Sequence, residues 1–200
     1  MMPIERMRPE DFDAVFRLLA RSFPAGERRD KAGQRALLAD SAYQIDILRA
    51  PSGGAQALMA SWDFGGFVFF EHFAVDPACR NGGIGGQMLD ALLARFDKPA
   101  CLEAELPETE LAARRIGFYE RHGFTVNADY PYFQPALTPG GSPIPLHLLT
   151  TGGARTPAEL RAIEMLVHTR VYGQTSAAAG KNQSDASSAI PPKFVSLSVG

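Results

Sequence analysis

The sequence has few cysteines, no long apolar run and no excess of positive charge. Its two cysteines, Cys79 and Cys101, lack the paired spacing of metal or redox motifs, so we interpret both as unpaired thiols without a chemical role. No stretch approaches the roughly 20 apolar residues that a membrane-spanning helix requires. Lys and Arg total 20 against 22 acidic residues, which leaves no basic field to attract nucleic acid. The composition therefore predicts neither a membrane protein nor a nucleic-acid-binding protein.

The residues that are present are typical of one globular domain followed by a tail. Apolar residues make up 46% of the 200 residues, which is enough for a sizeable core. The first segment, MMPIERMRPEDFD, carries charges every few residues, unlike a secretory signal, and we expect a cytoplasmic protein. Residues 174–200 have no apolar period, which predicts disorder there.

Helical and strand patterns alternate along the chain and predict a mixed α/β fold. Apolar residues recur at spacings of three and four in the predicted helices, and short runs rich in β-branched and aromatic residues predict the strands. Between residues 67 and 106, the order strand, glycine-rich loop, helix and strand predicts one parallel crossover. The predicted helices are 9–23, 27–40, one that ends near Pro99, 111–122 and 157–172; the predicted strands are 43–49, 56–63, 67–75, 100–106, 124–128 and 144–150, with a hairpin turn at 51–54.

A glycine-rich loop from Arg80 to Gly86, RNGGIGG, lies between a predicted strand and a predicted helix. Backbone amides without bulky side chains can converge there on phosphate oxygens, beside the positive end of the helix dipole. The Gly-Lys-Ser/Thr ending of a P-loop is absent, and Met88 stands where the dinucleotide-binding fingerprint has glycine or alanine. We interpret the loop as a pyrophosphate-binding loop of another kind, with an ordinary tight turn as the alternative.

Two segments resemble signatures of the GNAT superfamily of N-acetyltransferases. AVDPACRNGGIGGQMLDALL resembles its motif A, Arg/Gln-x-x-Gly-x-Gly/Ala, with Arg80, Gly83 and Gly85 at the matching positions. RRIGFYERHGF, residues 114–124, resembles the later helix in which a tyrosine and a charged residue precede a final Gly-Phe. The resemblance implies a splayed, mostly antiparallel sheet with one parallel crossover and helices on both faces. We therefore assign residues 1–150 to an acyltransferase domain and residues 151–173 to a helical extension.

The resemblance also implies that acetyl-CoA, or another acyl-CoA, is the co-substrate and that no metal is required. The cofactor is expected to lie between the strand that ends at Val75 and the strand 100–106, with backbone groups near Phe73 and Val75 pairing with the pantetheine arm. The helix with the tyrosine departs from the family pattern, because Ala112 and Arg115 replace the usual Asn and Ala. Arg115 is a candidate for a CoA phosphate, and a solvated surface arginine is the alternative. The residues expected to hold the pyrophosphate are Arg80, Asn81, Gly82, Gly83, Ile84, Gly85 and Gly86.

Tyr119 is the candidate general acid, because the resemblance places the family's tyrosine at this position. Acyl transfer to an amine needs a base for the amine and a proton for the departing thiolate. A phenol with an ordinary pKa of about 10 is protonated at pH 7 and can supply that proton. A core tyrosine with a hydrogen-bonded hydroxyl is the alternative.

Glu71 is the candidate base, because it interrupts an apolar strand just before the glycine-rich loop. Regular strand alternation places it on one face with Phe69, Phe73 and Val75, and places His72 on the opposite face. Burial is expected to raise the pKa of Glu71 toward the useful range. A structural carboxylate bonded to the backbone or to an arginine is the alternative, and His72 and His147 are interpreted as core histidines.

Three further residues are candidates for contacts with the acceptor. Glu103 and Glu105 alternate with apolar residues, so they share one face of their strand and could hold a cationic amine. A solvated sheet face is the alternative for both. Tyr132 lies in a proline-flanked loop and is interpreted either as a wall of the acceptor pocket or as part of a lid on the core.

The sequence thus predicts an N-acyltransferase that moves an acetyl or short acyl group from acyl-CoA to a primary amine by direct transfer in a ternary complex. The alternative is a CoA-binding sensor or scaffold without turnover, because a fold does not determine a function. The acceptor is expected to be a small-molecule or peptide amine. The apolar stripe of the predicted helix 157–172 is expected either to dock on its own domain or to form a homodimer.

Overall fold

The computed structural model of the protein describes residues 3–50, 53–136 and 141–174. Nearly all of the predicted tail, residues 174–200, and the first half of the predicted turn at 51–54 lie outside the described residues. Five α-helices and eight strands occur in the described residues, which confirms the predicted mixed α/β class. The chain divides into two compact units between Ala100 and Cys101.

The first unit has four strands in antiparallel order β1-β2-β3-β4. Its helix α1 packs against β3 and β4, and α3 packs against β4, so the apolar stripes that the sequence predicts become the core. Along the chain, β4, the glycine-rich loop, α3 and β5 follow one another in the predicted order. The elements are β1 (Ile4–Arg6), α1 (Phe12–Ser22), α2 (Lys31–Ala36), β2 (Tyr43–Arg49), β3 (Ala55–Asp63), β4 (Val68–Val75) and α3 (Ile84–Phe96).

The second unit is built around β8, which pairs antiparallel with β5, β6 and β7. Its helix α4 packs on β6. The helix α5 begins with a capping box, in which the Thr156 hydroxyl accepts from the Glu159 amide, and it buries Leu160 and Val167 within the chain. The elements are β5 (Ala100–Glu105), α4 (Glu110–Arg121), β6 (Phe124–Val126), β7 (Tyr132–Gln134), β8 (Ile144–Thr151) and α5 (Pro157–Arg170).

Helix boundaries differ from the sequence prediction by one to three residues at α1, α4 and α5, and two further differences concern α2 and α3. The predicted helix 27–40 is a single short helix, α2, which begins after Asp30 because the Asp30 side chain accepts from the Gly33 amide, and 3₁₀ turns flank it. Helix α3 begins at Ile84, so Gly85 and Gly86 are helical residues and do not belong to the loop. The three-residue strands β1 and β7 were not predicted from the sequence.

A β-bulge in β4 overturns the predicted alternation around Glu71. Phe70 pairs with Ser61 and His72 pairs with Ala60, so Glu71 is an extra residue without a partner on β3. Phe69 and His72 therefore lie on the same face, where regular alternation would separate them. The prediction that Glu71 shares a face with both Phe69 and Phe73 is wrong, because the bulge shifts every later residue of the strand to the other face.

Candidate active site

The loop between β4 and α3 contains two left-handed residues. Asn81 has a φ of 63° and Gly83 a φ of 70°, in the region that favours glycine. Gly83 precedes the first turn of α3, and the Gln87 amide donates to its carbonyl at 3.1 Å. The amides of residues 84–86 lie in that first turn, where no earlier helical carbonyl can accept from them. The arrangement can bind an anion through these amides and the helix dipole.

Gly82 adds open space to the same loop. A Cβ built there would approach the Cys79 carbonyl oxygen at 3.8 Å, which is an ordinary contact. Neither a positive φ nor a close neighbour therefore requires glycine at this position. A larger side chain could therefore be built at Gly82 without a clash with the loop backbone.

The other predicted cofactor residues of the first unit continue this stretch of chain. Phe73 and Val75 lie at the end of β4, opposite Met59 and Ala57 of β3. Arg80 turns back toward the strand, and its Nε donates to the Val75 carbonyl oxygen at 3.3 Å. The end of β4, the loop and the first turn of α3 thus follow one another along the chain, and their role in binding acyl-CoA stays a prediction.

Tyr119 lies near the end of α4 in the second unit. Its ring contacts the rings of Phe118 and Phe124, with centroids 5.3 Å and 5.8 Å away. Burial raises the pKa of Tyr119 to about 12, although the positive charge of Arg115 opposes the rise. The hydroxyl has no hydrogen-bond partner among the described residues, which does not support the alternative of a hydrogen-bonded core tyrosine.

Glu71 is almost closed off from solvent and is bound by two donors. Its side chain is 4% exposed; Arg29 donates to Oε1, and the Trp62 indole donates to Oε2 at 2.8 Å. Burial acts to raise the pKa of Glu71, but His72, the Arg29 charge and these hydrogen bonds outweigh burial and lower it. The expected rise in pKa is therefore wrong. The structure contains the alternative arrangement, a carboxylate bonded to an arginine.

Comparison with known proteins places this chain in a family. Residues 43–126 match the family model of the acetyltransferase (GNAT) domain. A solved structure from Bacteroides thetaiotaomicron, assigned to the GNAT family as an acetyltransferase, is 32% identical in sequence, with a TM-score of 0.79. The match covers 86% of this chain and 99% of that chain. This chain belongs to the GNAT family of acetyltransferases. The predicted resemblance is confirmed, and membership of the family supports acyl transfer from acetyl-CoA.

More distant GNAT structures share the fold. The ribosomal-protein-S18-alanine N-acetyltransferase from Escherichia coli is 18% identical, with a TM-score of 0.56, and the match covers 78% of this chain and 96% of that chain. An acetyltransferase from Bacillus subtilis, solved in complex with CoA, is 14% identical, with a TM-score of 0.54, and the match covers 76% of this chain and 98% of that chain. No curated protein sequence matches this chain.

Arg115, which departs from the GNAT pattern, forms an ion pair within the second unit. It donates to Glu105 of β5 at 2.5 Å, and its side chain is 13% exposed. The alternative of a solvated surface arginine therefore does not describe it. Burial raises the pKa of Glu105, and Arg115 opposes that rise. The pair also brings a positive charge near Tyr119, one helical turn further along α4.

Glu103 accepts hydrogen bonds from two tyrosine hydroxyls. Tyr132 donates to Oε1, and Tyr172, just beyond α5, donates to Oε2 at 2.5 Å. Neither Glu103 nor Glu105 is a bare carboxylate on a solvated face. Tyr132 is buried and ties β7 to β5, as a residue that packs on the core does, and a role in the acceptor pocket stays a prediction.

The remaining predicted residues have structural surroundings. His72 is buried, its Nε2 lies 3.1 Å from the Glu27 carbonyl oxygen, and burial lowers its pKa, as expected for a core histidine. Burial also lowers the pKa of His147. Within the described residues no group of three or more His, Cys, Asp and Glu side chains could hold a metal ion, and no helix has the length and apolar character to cross a membrane.

The sequence prediction missed Arg29, Trp62 and Tyr172. Arg29 is 42 residues away from Glu71, and Tyr172 is 69 residues away from Glu103. No local pattern links such partners. The only usable signal was that Trp62 is the single tryptophan of the chain, since a buried indole N–H needs an acceptor.

Proposed function

We propose that the protein is an N-acyltransferase that moves an acetyl or short acyl group from acyl-CoA to a primary amine by direct transfer in a ternary complex. The observation that carries the proposal is the loop with left-handed Gly83 before α3, in a chain of the GNAT family. The amides of residues 84–86 and the helix dipole favour the pyrophosphate of CoA at this place. Loop residues 80–83 and the first turn of α3, residues 84–86, would thus hold the co-substrate.

The chemistry requires one new bond and two proton movements. The amine nitrogen attacks the thioester carbonyl, so a C–N bond forms and the C–S bond breaks. Tyr119, protonated at pH 7 with a pKa of about 12, gives its proton to the departing thiolate and regains one from water. The proton of the amine leaves through water, because both oxygens of Glu71 are already bound by donors.

The acceptor in this proposal is a small-molecule or peptide amine in the cytoplasm. The E. coli relative of this fold acetylates an alanine of a ribosomal protein, which makes peptide amines a class to test. Glu103 and Glu105 are both bound by donors of this chain. They therefore do not favour a polyamine over a singly charged amine.

A CoA sensor without turnover is the second candidate. The observation that favours it is the altered helix α4, in which Arg115 is bound to Glu105 at the place where the family usually has alanine. A sensor would bind CoA and release no acyl group, whatever amine is present.

The test measures acetyl-CoA binding by calorimetry and then amine-dependent release of free thiol in the same preparation. Gly82→Glu places a negative side chain in the loop proposed to bind the pyrophosphate and should weaken acetyl-CoA binding at least about tenfold by charge repulsion. Gly66→Glu is the matched control. Gly66 lies in the turn before β4, and a Cβ built there has no neighbour within 4 Å.

The outcomes separate the candidates. Binding with thiol release that depends on an amine supports the transferase. Binding without release from amino acids, peptides, polyamines or small amines would support the sensor. Equal loss of binding in Gly82→Glu and Gly66→Glu, or no loss in either, would contradict the assignment of the loop.

A further inference from the structure

The bulge in β4 is the centre of a buried polar cluster, which consists of Glu71, His72, Arg29 and Trp62. Both carboxylate oxygens of Glu71 have a fixed donor, Arg29 on Oε1 and Trp62 on Oε2. The side chains of Glu71 and Arg29 are 4% and 17% exposed, so this ion pair is largely withdrawn from water. The Tyr43 ring of β2 packs against the Trp62 ring of β3, with centroids 5.0 Å apart and ring planes tilted by 57°.

The segment between α1 and α2, residues 23–30, is attached to β4 through this cluster. The Phe23 ring meets the His72 ring edge-on, with centroids 4.5 Å apart, and His72 Nε2 lies 3.1 Å from the Glu27 carbonyl oxygen. Arg29 adds the ion pair with Glu71. Inside the segment, Arg28 donates to the Phe23 carbonyl oxygen at 3.0 Å and to the Arg29 carbonyl oxygen at 3.3 Å. These three contacts of the segment, made by Phe23, Glu27 and Arg29, converge on two adjacent residues of β4.

We propose that Glu71 is a positioning residue that fastens segment 23–30 to the β4 bulge through Arg29, and that it does not act as the general base. A general base must be reached by the amine or by a bridging water. Glu71 instead has an arginine and an indole on its two oxygens. The inference rests on the proposed function, because β4 runs from Glu71 directly into Phe73 and Val75, the residues proposed to bind the pantetheine arm.

The ion pair itself makes the inference testable. When one partner of a buried pair is removed, the other charge stays buried and uncompensated, whereas removal of both leaves no such charge. A positioning role therefore predicts that Glu71→Gln and Arg29→Gln have the same effect. It also predicts that the double variant is no worse than either single variant, which a double-mutant cycle measures. A base would make the two single variants differ.

The first readout is independent of turnover. Trypsin cleaves after Arg28, which lies inside the fastened segment, and cleavage requires the segment to leave β4. Glu71→Gln and Arg29→Gln should each accelerate that cleavage about tenfold or more, because local opening becomes easier. Arg29→Lys keeps the charge and should stay near the wild-type rate. Arg35→Gln removes an exposed ion pair with Asp13 and is the matched control.

The second readout is the steady-state kinetics of amine-dependent thiol release. The two single variants should raise KM for acetyl-CoA about tenfold, because β4 leads from Glu71 into the proposed pantetheine-binding residues, keep kcat within about threefold, and keep the shape of the pH profile. A loss of about 100-fold or more in kcat in Glu71→Gln, with the acidic limb of the profile gone and Arg29→Gln unaffected, would show that Glu71 is the base. Unchanged tryptic cleavage in Glu71→Gln would equally overturn the inference. If the wild-type protein shows no turnover, the proposed function fails, and the cleavage rates still decide whether Glu71 fastens the segment.

Discussion

Tyr119 shows how the surroundings of one residue change its predicted chemistry. The sequence predicts a phenol with an ordinary pKa, whereas burial against Phe118 and Phe124 raises the pKa to about 12. The raised pKa keeps the proton on the hydroxyl at every physiological pH. It also makes the phenol a weaker acid, so proton transfer to the thiolate gains less driving force.

Tyr119→Phe should therefore lower kcat by about 100-fold, at the lower end of the range for general acids, with an unchanged dissociation constant for acetyl-CoA. Thiol release and calorimetry on the same variant measure the two quantities. Tyr130→Phe removes another buried hydroxyl of the second unit, which donates to Glu164, and serves as the control with wild-type kcat. A Tyr119→Phe enzyme with wild-type kcat would exclude the acid role.

Glu71 marks the limit of prediction at the residue scale. The sequence correctly predicts a buried carboxylate in an apolar strand, and it predicts the wrong direction for the pKa shift. Burial can be predicted from the neighbours in sequence. The compensating charge of Arg29 cannot be predicted in this way, because Arg29 lies in another part of the chain.

At the scale of elements, α5 is attached to its own unit by apolar and polar contacts. Leu160 and Val167 are buried, Tyr130 donates to Glu164, and Tyr172 beyond the helix donates to Glu103. These contacts agree with docking of the helix on its own chain. The alternative of a homodimer stays a prediction that the mass in solution would test.

Leu160→Ala should reduce the free energy of unfolding by about 3 kcal/mol, because it leaves a cavity under α5. Met165→Ala, on the same helix, should change that free energy by less than about 0.5 kcal/mol, since Met165 is 53% exposed. Urea unfolding followed by circular dichroism measures both. Similar losses in the two variants would mean that α5 does not pack as described.

At the scale of the whole molecule, buried histidines make stability depend on pH. His168 of α5 is 1% exposed, and burial lowers its pKa from 6.5 to about 4. Below pH 6.5 the unfolded chain takes up a proton at this position that the folded protein does not. The contribution of neutral His168 to the free energy of unfolding is therefore fully present above pH 6.5, and it is lost as the pH falls toward 4.

His168→Phe should reduce the loss of unfolding free energy between pH 7.5 and pH 5 by about 2 kcal/mol, at 1.4 kcal/mol for each pH unit below the ordinary pKa. Urea unfolding of both proteins at the two pH values gives the difference, and the values at pH 7.5 correct for any packing cost of the substitution. Burial raises the pKa of Glu164, but Glu164 is present in both proteins and does not account for a difference between them. An equal acid loss in the variant and the wild type would contradict the shift assigned to His168.

The sequence by itself determined most of the elements and the glycine-rich loop between β4 and α3. The apolar stripe of α1, the strand β2 with its predicted bounds, and the glycines before α3 are local patterns, and local patterns follow from the spacing of neighbouring residues. The GNAT signatures depend on the same local spacing. These features could be predicted because backbone geometry couples residues only a few positions apart.

Only the tertiary structure decided what surrounds the candidate catalytic groups. The bulge at Glu71 exists because β3 and β4 differ by one residue over their paired length, a property of two strands together. The donors to Glu71 and Glu103 come from distant segments, and charge compensation depends on distance in space. The partners of a buried carboxylate in the fold therefore determine whether it can act as a base or as a positioning residue. The spacing of residues along the chain does not encode those partners.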